Sequence, residues 1–206
     1  TKRWSSFCSS QGVCVISGMA PGVDSAAHSG SLDADSPGIA VLGYGLEAGS
    51  AQQSQQIQAL AEKGCVISEY APHIVARAGY FPQRNRLIAG IAQALVVVEG
   101  GLKSGSLITA KQALHYGREV FAVPGSVLNG IHAGCHQLLK DGATLATSAE
   151  DILQDLHWLS VKKRSETYQP SSPLEEKIFK ALGREILHID ALAEDCSLTV
   201  PEISTM

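Results

Sequence analysis

Arg84, Arg86 and Lys103 bracket a short apolar run that ends in two glycines, and these are the residues best suited to chemistry in this chain. The run, Ala94-Leu-Val-Val-Val-Glu-Gly-Gly101, carries three successive β-branched residues, which suits a strand covered on both faces of a parallel sheet. It is expected to be the most buried strand. Ser104 follows as a candidate N-cap for a helix over 106–116. A glycine turn between a strand's C-terminal end and a helix N-terminus presents backbone N–H groups where an anion is favoured. Lys103 sits in that turn, and Arg84 and Arg86 follow Pro82 just upstream. Guanidinium forks and an N–H nest on one short segment make a phosphate-binding design. The plain alternative for Arg84 and Arg86 is an exposed helix face.

Other polar groups carry weaker signals. Asp24 and His28 lie one helical turn apart, a spacing that permits an acid–base pair but more often marks a capping Asp. Glu99 is expected to pair with one of the arginines. Gly43-Tyr-Gly-Leu-Glu-Ala-Gly49 is spaced differently from a dinucleotide fingerprint. His132 and His136, flanking Cys135, lack a nearby carboxylate, so a metal is the minority reading. The chain contains no Walker loop, no nucleophile elbow and no His-Glu-x-x-His.

The elements that must position these residues alternate. Strands are expected over 13–17, 39–42, 65–68, 95–98, 120–123 and 144–146. Helices are expected over 22–33, 51–63, 84–91, 106–116, 132–140 and 149–156, after an opening helix at Lys2–Phe7. This alternation predicts an α/β fold: a Rossmann-like, doubly wound, mostly parallel sheet with its ligand loops at the strand C-termini. That domain is expected over 1–158. A polar, proline-bearing linker is expected over 159–173. Short amphipathic helices at 174–182 and 189–195, with a third beginning at Leu198, suggest an incomplete helix-turn-helix or winged module over 174–206.

The chain has 206 residues, a net charge of −4 and 17% charged residues, which argues against a polybasic binder while permitting a local basic groove. No apolar run reaches the roughly 18 residues of a membrane span, and no signal peptide is visible. Five cysteines without a Cys-x-x-Cys pair read as buried free thiols of a cytoplasmic protein. Both ends look cut: there is no initiator Met, and Val200–Met206 reads as the start of a helix that should continue.

Four blocks, taken in order, resemble the DNA-processing protein A family (DprA, also called Smf). They are Ser17-Gly-Met-Ala-Pro-Gly-Val-Asp-Ser-Ala-Ala-His28, Phe81-Pro-Gln-Arg-Asn-Arg-Leu-Ile-Ala-Gly90, Val96-Val-Val-Glu-Gly-Gly-Leu-Lys-Ser-Gly-Ser-Leu-Ile-Thr-Ala110 and Gly117-Arg-Glu-Val-Phe-Ala-Val-Pro-Gly-Ser126. The likeness spans about residues 10–156. It implies a non-enzymatic homodimer that binds single-stranded DNA and loads the recombinase RecA during natural transformation, with a C-terminal winged helix in many members. By carry-over, Arg84, Arg86, Lys103 and the Ser104-Gly105-Ser106 turn hold DNA phosphates, with Asn85 and Thr109 in the same blocks. Ser17, Gly18 and Asp24 line the adjoining pocket. No cofactor, metal or membrane is implied. Tyr80 and Phe81 are the nearest aromatic rings for base stacking, with a core role equally open to Phe81.

The chain departs from the family pattern in places. The family's opening strand and its Gly-Ser-Arg turn are missing, so part of the expected pocket is absent. Residues 48–56 lack the Tyr-Pro and basic residues often found there. Gln83 replaces a frequent Arg, and His136 stands where Asn is usual. Two other readings compete: a Rossmann-like nucleotide phosphoribohydrolase of the lysine-decarboxylase-like type, whose Pro-Gly-Gly-x-Gly-Thr turn is unmatched by Glu99-Gly-Gly-Leu-Lys-Ser104, and a protein-interaction scaffold.

Overall fold

A computed structural model describes residues 1–49, 51–128, 130–158, 172–182, 189–196 and 198–200. The chain forms two compact units, Thr1–Leu159 and Ser160–Met206. The expected linker falls mostly outside the described residues, as does the third C-terminal helix beyond Val200.

The first unit runs α1 (Lys2–Ser10), β1 (Val15–Ser17), α2 (Val23–Asp33), β2 (Gly38–Leu42), α3 (Ala51–Lys63), β3 (Cys65–Ser68), α4 (Tyr80–Ile91), β4 (Ala94–Val97), α5 (Gly105–His115), β5 (Glu119–Ala122), α6 (Ala133–Lys140), β6 (Thr144–Leu145) and α7 (Ala149–Asp155). Every strand pairing is parallel. Among the described residues the strands form two sheets of three, ordered β1-β2-β3 and β4-β5-β6. In the first sheet Val15 lies opposite Gly38 and Ile39 opposite Cys65; in the second Ala94 lies opposite Glu119 and Phe121 opposite Thr144.

The central strands, rather than β4, carry the deepest burial. Ala40, Val41 and Leu42 of β2 and Val120, Phe121 and Ala122 of β5 are all buried, whereas Ala94, Leu95 and Val96 of β4 are only half-buried. Among the described residues each central strand has a neighbour on both sides, whereas β4 pairs with β5 alone and β1 with β2 alone. A continuous β-branched run reports that both faces are covered, and says nothing about whether an edge is paired.

Small residues let the helices approach the sheets closely. Ala110 and Ala113 of α5 and Ala89 of α4 pack with Val97, Val120 and Ala122, together with Cys135 and Leu138 of α6. Around the first sheet, Met19, Leu42, Tyr44 and Leu60 form a second buried cluster, and Phe121, Ala146 and Ile152 form a third against Trp4 of α1. All five cysteines are free, but only Cys135 and Cys196 are buried. Cys14 and Cys65 are exposed, correcting the expectation of buried thiols, because both stand at strand starts where the chain emerges from the layer. In the second unit, α8 (Pro173–Leu182) meets α9 (Ile189–Cys196), where Lys177 donates to the Cys196 carbonyl at 2.8 Å. No helix among the described residues is long and apolar enough to cross a membrane.

Candidate nucleic-acid interface

The glycine turn after β4 is built as its sequence dictates. Ser104 is extended (φ −68°, ψ 143°), and its hydroxyl accepts from the Ser106 N–H at 3.3 Å, capping α5. The two hydroxyls, Ser104 Oγ and Ser106 Oγ, lie 2.8 Å apart. The turn is held from behind: Gly100 N–H donates to the Ile131 carbonyl at 3.0 Å, and Gly134 N–H donates to the Gly100 carbonyl at 2.8 Å. Lys103 is exposed and makes no ion pair among the described residues, and the first turn of α5 holds no acidic residue. Thr109 is turned inward, its hydroxyl donating to the Gly105 carbonyl at 3.3 Å. The Ser104, Ser106 and Leu107 N–H groups are taken by the Gly101 carbonyl, Ser104 Oγ and the Ser104 carbonyl, so it is the positive end of the α5 dipole beside Lys103, rather than a nest of free N–H groups, that attracts an anion.

The α4 arginines divide. The helix starts at Tyr80, earlier than the expected 84, because Pro82 falls in its first turn, where a missing N–H costs nothing. That extra turn brings Arg84 to the strand ends. Arg84 is 4% exposed; Nη1 donates to the Gly18 carbonyl at 2.6 Å and also to that of Val41, and Nε donates to Asn85 Oδ1 at 3.1 Å. It thus ties together the C-terminal ends of β1 and β2. Burial pulls its pKa down, opposed by Asp24, Tyr44 and Tyr70, yet no carboxylate among the described residues forms an ion pair with it. A Cβ on Gly18 would overlap the guanidinium, so any larger residue there would have to displace Arg84. Arg86 points outward and pairs with Glu69. The expected partner, Glu99, makes no ion pair among the described residues: it stands exposed at the end of β4, while Arg84 is committed to carbonyls and Arg86 to Glu69.

Asp24 behaves as a turn-former, its Oδ2 accepting from the Ala20 N–H at 3.1 Å. His28 is fully buried, and neither ring nitrogen has a hydrogen-bond partner. Burial pushes its pKa down, with the Asp24 carboxylate opposing. No Asp–His hydrogen bond forms, so the spacing yields no proton relay. His132 and His136 have ring centroids 6.5 Å apart, and His136 Nε2 lies 3.1 Å from the Gly125 carbonyl. The described residues provide no group of three or more metal-ligating side chains.

One cavity of about 1100 Å³ is lined by Ser17, Asp24, Arg84, Asn85, Gly105, Ser106 and Thr109 of the expected DNA-binding residues, and also by Phe81 and Glu99. The lone edges of β1 and β4 also line it, so much of its wall is apolar. Gly18, Arg86, Lys103 and Ser104 lie outside this lining.

The description of DNA recombination-mediator protein A matches residues 1–157 as a family, and that of the DprA winged helix domain matches 162–206. The chain belongs to the DNA recombination-mediator protein A family. It is 38% identical to protein Smf of Escherichia coli over 99% of this chain and 58% of that one. It is 41% identical to DNA processing protein DprA of Streptococcus pneumoniae over 70% of this chain and 51% of that one. It therefore spans between half and three-fifths of these relatives. The solved structure of the Streptococcus pneumoniae protein superposes with a TM-score of 0.67 at 39% identity, covering 75% of this chain and 56% of that one. DNA processing protein A from Helicobacter pylori, described for its single-stranded DNA binding mode, superposes at 0.68 with 25% identity, covering 76% and 71%. Membership sets the phosphoribohydrolase reading aside.

Sequence reasoning missed one feature of this face. Tyr70 and Tyr80 stack, with ring centroids 4.3 Å apart and planes 23° apart, and the Arg77 guanidinium lies 5.9 Å over the Tyr80 ring. Tyr70 follows β3 directly and Tyr80 opens α4, so strand–loop–helix connectivity was the available signal. Phe81, open between core and stacking roles, is 37% exposed and packs beside Gly43 and Arg84.

Proposed function

We propose that this chain binds single-stranded DNA through its backbone, with phosphates held by Lys103, the Ser104-Gly105-Ser106 N-terminus of α5 and Arg86. The observation that carries the reading is the α5 N-terminus. Lys103 stands there without an acidic partner among the described residues, beside a cavity to which Arg84 brings positive charge and Asp24 and Glu99 bring negative charge. Arg84 acts through the Gly18 turn it fixes and through its field, since its donors are occupied by carbonyls. Asn85, which receives the Arg84 Nε donor, belongs to that support, as do Ser17, Gly18, Asp24 and Thr109. The Helicobacter pylori neighbour is a single-strand binder, and this chain shares its fold.

On the same reading the protein is a mediator rather than an enzyme. It works as a cytoplasmic homodimer that shields incoming strands and passes them to RecA during natural transformation. No chemistry on the DNA is needed for that role. The test is fluorescence anisotropy of labelled oligo-dT against a duplex of equal length at low salt. Tighter binding of the single strand is expected; equal affinity, or preference for duplex, contradicts the proposal.

A further inference from the structure

Phosphate contacts alone do not favour a single strand over a duplex, because the duplex carries the denser backbone charge. Selectivity needs a group that engages what pairing hides, the face of a base. Tyr70 and Tyr80 supply it: we propose that their stacked pair is a platform for an unpaired nucleobase, with Arg77 and Arg86 beside it for the flanking phosphates. This rests on the single-strand reading above and assigns its selectivity.

Several observations separate this pair from ordinary packing. Neither ring belongs to a buried core cluster, and both remain half-buried. The loop between them is open, with residues 71–73 and 75–79 exposed. That loop is nevertheless fixed. Tyr70 N–H donates to Ser68 Oγ at 3.1 Å, and Ser68 Oγ donates to the Tyr44 carbonyl at 2.6 Å. Gly45 N–H donates to the Ile74 carbonyl at 2.8 Å and Glu47 N–H to that of Pro72 at 2.9 Å. A Cβ at Gly45 would run into the Ala71 and Pro72 carbonyls, so the two loops close only over glycine. The Tyr70 hydroxyl reaches Gln83 Oε1 at 3.3 Å. The rings are therefore in place before a ligand arrives, which lowers the cost of ordering them.

The surroundings suit a nucleotide. Arg77 is exposed beside the Tyr80 ring, and Arg86 lies on the same helix as Tyr80, held by Glu69, the neighbour of Tyr70. Exposed ion pairs of this kind are weak, so a phosphate can displace the carboxylate. Every base has a π face, so the platform selects for unpaired bases without reading sequence.

The test compares oligo-dT with an abasic deoxyribose-phosphate oligomer of equal length, using the wild-type protein and the Tyr70→Leu and Tyr80→Leu variants. The wild type should prefer oligo-dT by about tenfold, the scale of one stacked base. Each Leu variant should lose most of that preference while keeping its affinity for the abasic oligomer and its salt slope. Tyr70→Phe and Tyr80→Phe, which keep the rings, should bind as wild type. The inference is overturned if the Leu variants keep the preference within about twofold, or if they lose both ligands together, the mark of a disturbed fold. If Lys103→Glu weakens both oligomers while the tyrosine variants change neither, the single-strand reading stands and the platform falls. A wild type that binds neither ligand overturns both.

Discussion

Arg84 is the residue at which the motif and its physical role diverge. Its place in Arg-Asn-Arg, after a proline and before an apolar strand, marked it as a phosphate fork. The structure holds it 4% exposed with Nη1 on the Gly18 and Val41 carbonyls. Sequence could show that two arginines share a helix start, but not which face each takes, because that depends on the extra turn allowed by Pro82. Their spacing of two places them on different sides of α4, so one is committed inward and the other to Glu69. Removing a buried cation strands its partners. Arg84→Leu leaves two strand-end carbonyls without their donor and should cost about 2–4 kcal/mol in chemical denaturation. A loss below about 1 kcal/mol would mean that the two carbonyls find other donors. Arg86→Leu, at an exposed pair, should change stability by less than about 1 kcal/mol.

At the scale of elements, strands and helices were legible wherever local signals agreed. β3 and α3 fall where apolar runs and helical spacing put them, and α5 begins beside its Ser104 cap. Sheet partition was not legible, since nothing along a strand states which neighbour lies beside it; β1 and β4 each have one paired side. The start of α7 offers a direct pH test. Its capping box joins Ser148 Oγ to the Asp151 N–H at 3.0 Å, while Asp151 Oδ2 accepts from Thr147 Oγ1 at 2.5 Å, Thr147 N–H at 2.9 Å and Ser148 N–H at 2.9 Å. These bonds, the Thr147 hydroxyl foremost, lower the Asp151 pKa from 3.8 to about 2. A depressed folded-state value means the carboxylate stabilises the fold above about pH 4. That contribution is lost as pH falls towards 2. Thermal melts should therefore show an acid limb between about pH 4 and 2 that is shallower in Asp151→Asn. An unchanged limb in the variant would assign acid sensitivity to other carboxylates.

For the molecule as a whole, the ordered motifs identified the family and the parallel α/β architecture, and the winged helix domain match covers 162–206. The cavity brings Ser17 and Asp24 together with Arg84, Asn85, Gly105, Ser106 and Thr109 from distant parts of the chain. Tyr80 was legible as a stacking ring, but its partner Tyr70 was not, because the two belong to no shared motif and meet only when the loop after β3 folds back on the loop after β2. An acidic chain with a net charge of −4 can bind a polyanion only where its cations are locally concentrated and unopposed, as at Lys103.

The most direct measurement is oligo-dT affinity as a function of salt for the wild type and Lys103→Glu, with circular dichroism to confirm that both are folded. Each phosphate contact adds about −0.7 to the log–log slope for single strands. With Lys103 and Arg86 as the contacting cations, the wild type should show a slope of about −1.4, and Lys103→Glu should bind more weakly with a slope shallower by about 0.7. A folded Lys103→Glu variant with wild-type affinity and slope would contradict the account.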